Sequence, residues 1–135
     1  MVAHKVCPVL LRGVGANTEV LAFRHPMAGN QIVKGTVEPG ESLRDAAARE
    51  MLEESGIVVS IERFLGSLRY DDIAQDWHFF QCSAEPCLDS WEHWTSDDGG
   101  HMFKFYWYAL GNRPDDNWHV DFIRALYFIS DRLEG

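Results

Sequence analysis

Three glutamates crowd the end of one segment, GTVEPGESLRDAAAREMLEESGI, which runs from Gly35 to Ile57 and carries Glu50, Glu53 and Glu54. At helical spacings of three and four, like charges repel by ~0.2–0.5 kcal/mol per pair in solution. Partly buried at roughly 5–6 Å, the repulsion rises to about 3 kcal/mol. Acids in a helix's last turns also oppose the macrodipole, by ~0.3–1 kcal/mol each, where Lys or Arg is favoured. A hard divalent cation answers both costs, because Mg²⁺ takes carboxylate oxygens and retains waters that a phosphate substrate can displace. The acids are therefore compatible with metal-assisted chemistry, with glutamates as ligands, beside the plainer reading of a solvated helix surface.

Their placement depends on a helix. With Glu50 at zero on a wheel of ~100° per residue, Glu54 falls at about 40° and Glu53 at about 300°. Leu43 and Ala47 fall at about 20° and 60°, so the acids continue a small apolar seam instead of a solvent face. Ser42 reads as the N-cap, with Asp45 three residues on, and Gly56 as the stop of a helix over Leu43–Ser55. Pro39-Gly40 forms a tight turn that folds Glu41 and the Gly35 carbonyl back over that helix.

The remaining chain reads as strands and one closing helix. KVCPVLLRG and TEVLAFRH are strands separated by the turn GVGANT, and Pro8 suggests an edge or a bulge. NQIVKGTV is a short extended piece, and IVVSIERFLGSLRY and DWHFFQCSA are β-branched or aromatic strands. In HMFKFYWYAL, Phe103, Phe105 and Trp107 point one way and Lys104, Tyr106 and Tyr108 the other. The closing helix carries Trp118, Phe122, Leu126, Ile129 and Leu133 as a core stripe, with Asp115 or Asp116 as its cap. Strands around one early helix and a closing helix predict an α/β layered sandwich, in one domain over 1–135.

Composition narrows the partners. Hydrophobic residues are 46% of the 135, enough for a real core. With 21 acidic and 12 basic residues the net charge is −9, which argues against a nucleic-acid polymer or an anionic membrane. A small polyphosphate stays compatible, since bound cations invert the local field. No apolar run reaches the ~18–20 residues of a membrane span, and the N-terminus has no signal-peptide cleavage pattern, so the expectation is cytoplasmic. Cys7, Cys82 and Cys87 are odd in number, which disfavours a disulfide framework. Cys82 and Cys87 with His93 and His101 fit no familiar zinc spacing.

The spacing resembles the box of the Nudix hydrolase family. That box is Gly, five residues, Glu, seven residues, Arg-Glu, an aliphatic, any residue, Glu-Glu, any residue, Gly and an aliphatic. Here it reads Gly35, Glu41, Arg49-Glu50, Met51, Glu53-Glu54, Gly56 and Ile57, with every spacing intact. Seven fixed types at roughly one in fifteen each give a chance match on the order of one in a million. The resemblance implies a Nudix-type α/β/α sandwich with a mixed β-sheet, and hydrolysis of a nucleoside diphosphate linked to another moiety. It implies Glu53 and Glu54 as main ligands of Mg²⁺ or Mn²⁺, joined by Glu50 and the Gly35 carbonyl. Glu50 is also the candidate base, with Arg49 orienting it and Glu41 in support. Arg24 and Lys34 are candidates for phosphate oxygens, with solvated surface charge as the alternative for each.

The stretch Pro86–His101 reads as a polar loop between strands. The family often supplies a further carboxylate from this region, and Glu92, Asp97 and Asp98 are the candidates. Trp91 and Trp94 flank Glu92 and are candidates to stack on a base, with packing over the sheet edge as the alternative. No Pro lies between Ile57 and Pro86, where ADP-ribose hydrolases of the family commonly carry one, and Tyr70 is near but not at the position that marks some dinucleoside polyphosphate hydrolases. The expected partner is a small nucleoside diphosphate derivative, with a homodimer as a candidate assembly. A catalytically silent nucleotide-binding module is the alternative, though such modules typically lose box glutamates.

Overall fold

The computed structural model describes residues 1–96 and 99–134. Among them, strands β1 (Ala3–Arg12), β2 (Glu19–His25), β3 (Gly29–Gln31), β4 (Gly35–Thr36), β5 (Ser60–Tyr70), β6 (Gln75–Ser83), β7 (Ser90–Thr95) and β8 (His101–Ala109) join in one mixed sheet. Its order is β5-β6-β1-β2-β8-β7, with β4 beside β1 and β3 beside β2. Helices α1 (Leu43–Ser55) and α2 (Val120–Glu134) cover opposite faces, as the α/β/α expectation requires. None of the described helices is long and apolar enough to cross a membrane.

The way β1 is shared opens the sheet where the box sits. Along one edge β1 runs parallel to β6 from Ala3↔Gln75 to Leu10↔Cys82. Along the other, Lys5 and Val6 pair with β4, and only Leu11 and Arg12 reach β2. Between these short ladders α1 packs across both halves. Ala46 and Ala47 meet Val6 and Phe80 on one side, and Met51 meets Leu10, Leu21, Phe23 and Phe105 on the other. Pro8 therefore does not mark an edge strand, because β1 is central. It falls between the β4 and β2 pairings, where a residue without an N–H is tolerated.

On the far face, Phe122, Leu126 and Ile129 of α2 pack on Val9, Val20, Trp77 and Phe79. Trp118 joins this core from outside the helix, which begins later than the apolar spacing suggests. His119 is the reason. Its ring Nδ1 accepts the Asp121 N–H at 3.2 Å and its carbonyl accepts the Phe122 and Ile123 N–H groups. Asp115 is not the cap; it accepts the N–H of Asn117 in a local turn upstream.

The expected loop Pro86–His101 also needs correction. Its Ser90–Thr95 part is β7, paired antiparallel with β8 from Ser90↔Tyr106 to Thr95↔His101. Trp91, His93 and Thr95 face α1, while Ser90, Glu92 and Trp94 face away, so a period of two was hidden in mixed polar and aromatic residues. In β8, Phe103 and Phe105 enter the α1-side core, and Tyr106 and Tyr108 lie against the α2-side core, as their alternation predicts.

Candidate active site

Local signals set the frame of the site. Ser42 Oγ accepts the Asp45 N–H at 3.0 Å and starts α1. Gly56, at φ +80°, ends it with its N–H on Leu52 O. Ahead of the helix, the Glu41 N–H closes a turn onto Glu38 O at 3.1 Å, with Gly40 at φ +77°. Pro at the second turn position and a positive-φ glycine at the third are what a type II turn needs. The turn brings the Glu41 side chain over α1.

There Arg49 gathers the acids. Its Nε and Nη2 donate to Glu41 Oε2 and Oε1 at 2.8 and 3.0 Å. Its Nη1 donates to both Glu50 Oε1 and Glu53 Oε2 at 3.0 Å, and Nη2 also reaches Thr36 O at 2.9 Å. Such bidentate, charge-assisted bonds are stronger than neutral ones. They hold the Glu41 carboxyl below the usual carboxylate range and push the Arg49 guanidinium further up.

The three helix glutamates differ in exposure. Glu50 and Glu54 are only 6% and 4% exposed, with both Oε2 atoms sealed from solvent. Glu53 stands at the rim, its side chain half exposed. Burying carboxylates costs several kcal/mol each unless positive charge compensates, and one guanidinium serves Glu41, Glu50 and Glu53 together.

Gly35 completes the contact from β4. A Cβ there would lie 1.8 Å from Glu50 Cδ and 2.1 Å from its Oε2, so the carboxylate rests directly against the Gly35 backbone. The glycine is required for space, not for an unusual φ. Beside it opens a cavity of about 340 Å³ lined by Lys5, Lys34, Gly35, Thr36, Glu38, Arg49, Glu50 and Glu53.

This donor set suits a hard divalent cation: oxygen ligands only, two of the carboxylates buried, and a third able to swing at the rim. Among the described residues no three His, Cys, Asp or Glu side chains are already gathered into a metal cage. Arg49 Nη1 sits between Glu50 and Glu53 and holds them in its own hydrogen bonds.

The structure thus brings Gly35, Lys34, Arg49, Glu50 and Glu53 to one cavity, ties in Glu41 through Arg49, and buries Glu54 on the next turn outside the cavity wall. It does not bring Arg24 or Glu92 there. Both line a separate cavity of about 320 Å³ with Lys104 and Tyr106, where the Arg24 guanidinium lies 5.3 Å from the Tyr106 ring centre. The Trp91 indole donates to Ser55 O at 3.0 Å and stacks on Phe105, fastening β7 to the end of α1. Trp94 is exposed, with its ring edge over Gly100. Asp97 and Asp98 lie outside the described residues.

Lys5, Thr36 and Glu38 are wall residues that the motif does not name. Lys5 Nζ donates to Thr36 Oγ1 at 2.8 Å, and the Lys5↔Thr36 register of β1 and β4 places it. No local pattern announces such a pairing. Thr36 directly follows the motif's first glycine, which is the only hint available for it.

The profile of the NUDIX domain matches residues 6–124, most of the chain. The chain belongs to the Nudix family. This Nudix chain is 36% identical over 114 residues to the NAD-capped RNA hydrolase NudC of Vibrio cholerae, a match covering 82% of the chain and 40% of the relative. It is 28% identical over 116 residues to NudC of Shigella dysenteriae, covering 82% and 42%. The chain therefore spans about two fifths of the length of these curated relatives. Among solved structures, the Caenorhabditis elegans Ap4A hydrolase superposes with a TM-score of 0.66 at 20% identity, over 99% of this chain and 97% of that one. The NUDIX domain of Shewanella oneidensis NrtR complexed with ADP ribose gives 0.67 at 14% identity, over 98% and 89%. These likenesses show the Nudix fold.

Proposed function

We propose that this chain is a metal-dependent pyrophosphohydrolase that cleaves the diphosphate linkage of a nucleoside diphosphate joined to a second moiety, with Mg²⁺ or Mn²⁺ as cofactor. The observation that carries the reading is the set of carboxylates Glu41, Glu50 and Glu53 gathered by Arg49, with Glu50 resting on Gly35, beside a cavity that also presents Lys5 and Lys34. Glu53 and Glu54, with Glu50 and the Gly35 carbonyl, would hold the cation. Bound there, it would polarise phosphoryl oxygens and activate water. Glu50 would accept the proton of the attacking water, its carboxylate fixed by Arg49 on one side and by the Gly35 backbone on the other. Glu41 would keep Arg49 in place, with two bonds to its guanidinium. The lysines would offset substrate charge in a chain whose net charge is −9.

The substrate panel follows from this chemistry: nucleotide sugars, dinucleotides, dinucleoside polyphosphates and nucleoside triphosphates. The names of the NudC relatives add an NAD-capped RNA end to it. The panel is run with Mg²⁺ and the products are identified. Release of a nucleoside monophosphate from at least one member is expected. Glu53→Gln and Glu54→Gln should each abolish Mg²⁺-stimulated turnover with the fold intact. Turnover surviving in either variant would remove that residue from the metal set, and no release from any substrate would favour a silent nucleotide-binding module.

A further inference from the structure

Three side chains from three strands meet on the α1 side of the sheet, and none of them lines the glutamate cavity. His4 of β1 and His78 of β6 stand two residues before Val6 and Phe80, which pack under α1, so strand alternation puts both rings on that face. Lys5, which does line the cavity, leaves β1 on the opposite face. Ser67 of β5 arrives by a bulge. Plain alternation from Leu65, which enters the α2-side core, would turn Ser67 the same way. Instead β5 slips by one residue against β6 between Phe64 and Gly66, with Gly66 at φ +131°, and Ser67 comes to lie opposite His78.

The contacts form a chain. Ser67 Oγ lies 2.6 Å from His78 Nδ1, and His78 Nε2 lies 3.0 Å from His4 Nδ1. The two imidazoles stack with ring centres 5.2 Å apart and planes 24° from parallel. Two nitrogens bound to one ion at about 2.0–2.1 Å, subtending roughly 90–110°, lie about 2.8–3.4 Å apart. The pair at 3.0 Å already has the separation of a chelate. In the tautomer that gives its Nδ1 proton to Ser67 Oγ, His78 turns its Nε2 lone pair towards His4. Fixing a ligating imidazole through its other nitrogen is what an outer partner does in a metal site. His4 is exposed, so its ring is free to rotate until both lone pairs meet on one ion. Two other histidines are engaged differently: His25 Nδ1 accepts the N–H groups of Met27 and Ala28, and His119 Nδ1 accepts that of Asp121. Asp76 shares the face with His78, but Arg69 holds both its carboxylate oxygens.

We propose that His4 and His78 form a second divalent-metal site, for a borderline transition ion such as Zn²⁺, Ni²⁺ or Cu²⁺, with Ser67 as its positioning residue. Imidazole suits such ions, whereas the oxygen donors of the box suit Mg²⁺ or Mn²⁺, so the two sites divide cations by donor chemistry. Both ligands stand on the β1–β6 ladder, which pairs from Ala3↔Gln75 to Leu10↔Cys82, so the site is built on rigid backbone. Two protein nitrogens with water in the remaining positions make it an exchangeable site, and a bound ion ties the start of β1 to β6 and stabilises the folded chain. Nothing in this site depends on the hydrolase reading.

The test is calorimetric titration of NiCl₂ into the untagged chain with Mg²⁺ in excess, on wild type, His4→Gln, His78→Gln, Ser67→Ala and Glu53→Gln. Wild type is expected to bind Ni²⁺ here and to melt higher with it. His4→Gln and His78→Gln should each lose about tenfold or more in affinity, because a chelate becomes a single contact. Ser67→Ala should lose about tenfold through the freed imidazole, and Glu53→Gln should bind as wild type does. Equal Ni²⁺ affinity in wild type and His4→Gln overturns the site. His4 is exposed, so this variant is expected to melt like wild type without metal, and a folding defect does not obscure the result. An affinity that falls in Glu53→Gln and not in the histidine variants places the ion in the box and overturns the site as well. Unchanged affinity in Ser67→Ala overturns the positioning role. The readouts are binding and melting, so turnover or its absence tests only the hydrolase reading.

Discussion

Replacing Gly35 with alanine tests the geometry of the site through a residue that carries no functional group. The added Cβ would start 1.8 Å from Glu50 Cδ, and ordinary contact begins near 3.4 Å, so the carboxylate must retreat by roughly 1.6 Å. It cannot do so and keep its 3.0 Å bond to Arg49. The clashing atoms are the far end of a flexible side chain, so the fold can yield by swinging Glu50 away, at an overpacking cost of about 1–3 kcal/mol. Catalysis has less tolerance, because a misplacement of about 1 Å can cost ~100-fold. Gly35→Ala is therefore expected to remain folded by circular dichroism, melt lower, and lose about 100-fold or more in kcat/KM. In a Glu50→Gln background the same substitution should cost almost nothing further, since both act through one carboxylate. Turnover of Gly35→Ala within about twofold of wild type would refute the contact, and additive losses in the double variant would show that Gly35 works by another route.

Two further substitutions probe the supports of the site. Glu41 has a depressed carboxyl pKa in the folded protein, so its stabilisation is complete above the ordinary value of about 4.3 and lost as pH falls through the folded one. Glu41→Gln should melt below wild type at neutral pH, and the gap should close as pH falls below the ordinary carboxylate range; a gap independent of pH would refute the assignment. Trp91→Phe keeps a ring on Phe105 but loses the bond to Ser55 O, so stability should fall by about 1 kcal/mol, read as a lower Tm. Its KM should not move. A raised KM at unchanged Tm would return the ring to the substrate.

What the sequence disclosed, and what it withheld, divides along the range of the interactions. Helix α1 was legible to its ends because Ser42 and Gly56 act on their immediate neighbours. The start of α2 is not legible because His119 caps through a ring nitrogen, and because Trp118 extends the apolar spacing while packing from outside the helix. Strand β7 resembles a loop in sequence because Ser90, Glu92 and Trp94 face away from α1, and their polar and aromatic mixture masks the alternation. Within the box, spacing placed the acids on one helix face but not their depths, so the exposed rim position of Glu53 was invisible. Lys5 at the cavity wall, and the separation of Arg24 and Glu92 from it, depend on strand register, which no single segment encodes.

Arg49 has a consequence for what happens when metal is withdrawn. A domain whose acids are held together only by a cation loses its structure to a chelator, as small zinc modules do. In this chain a covalently attached guanidinium already bridges Glu41, Glu50 and Glu53. Chelation should then silence the protein without melting it, and fresh cation should revive it without refolding. The arginine makes the resting state storable.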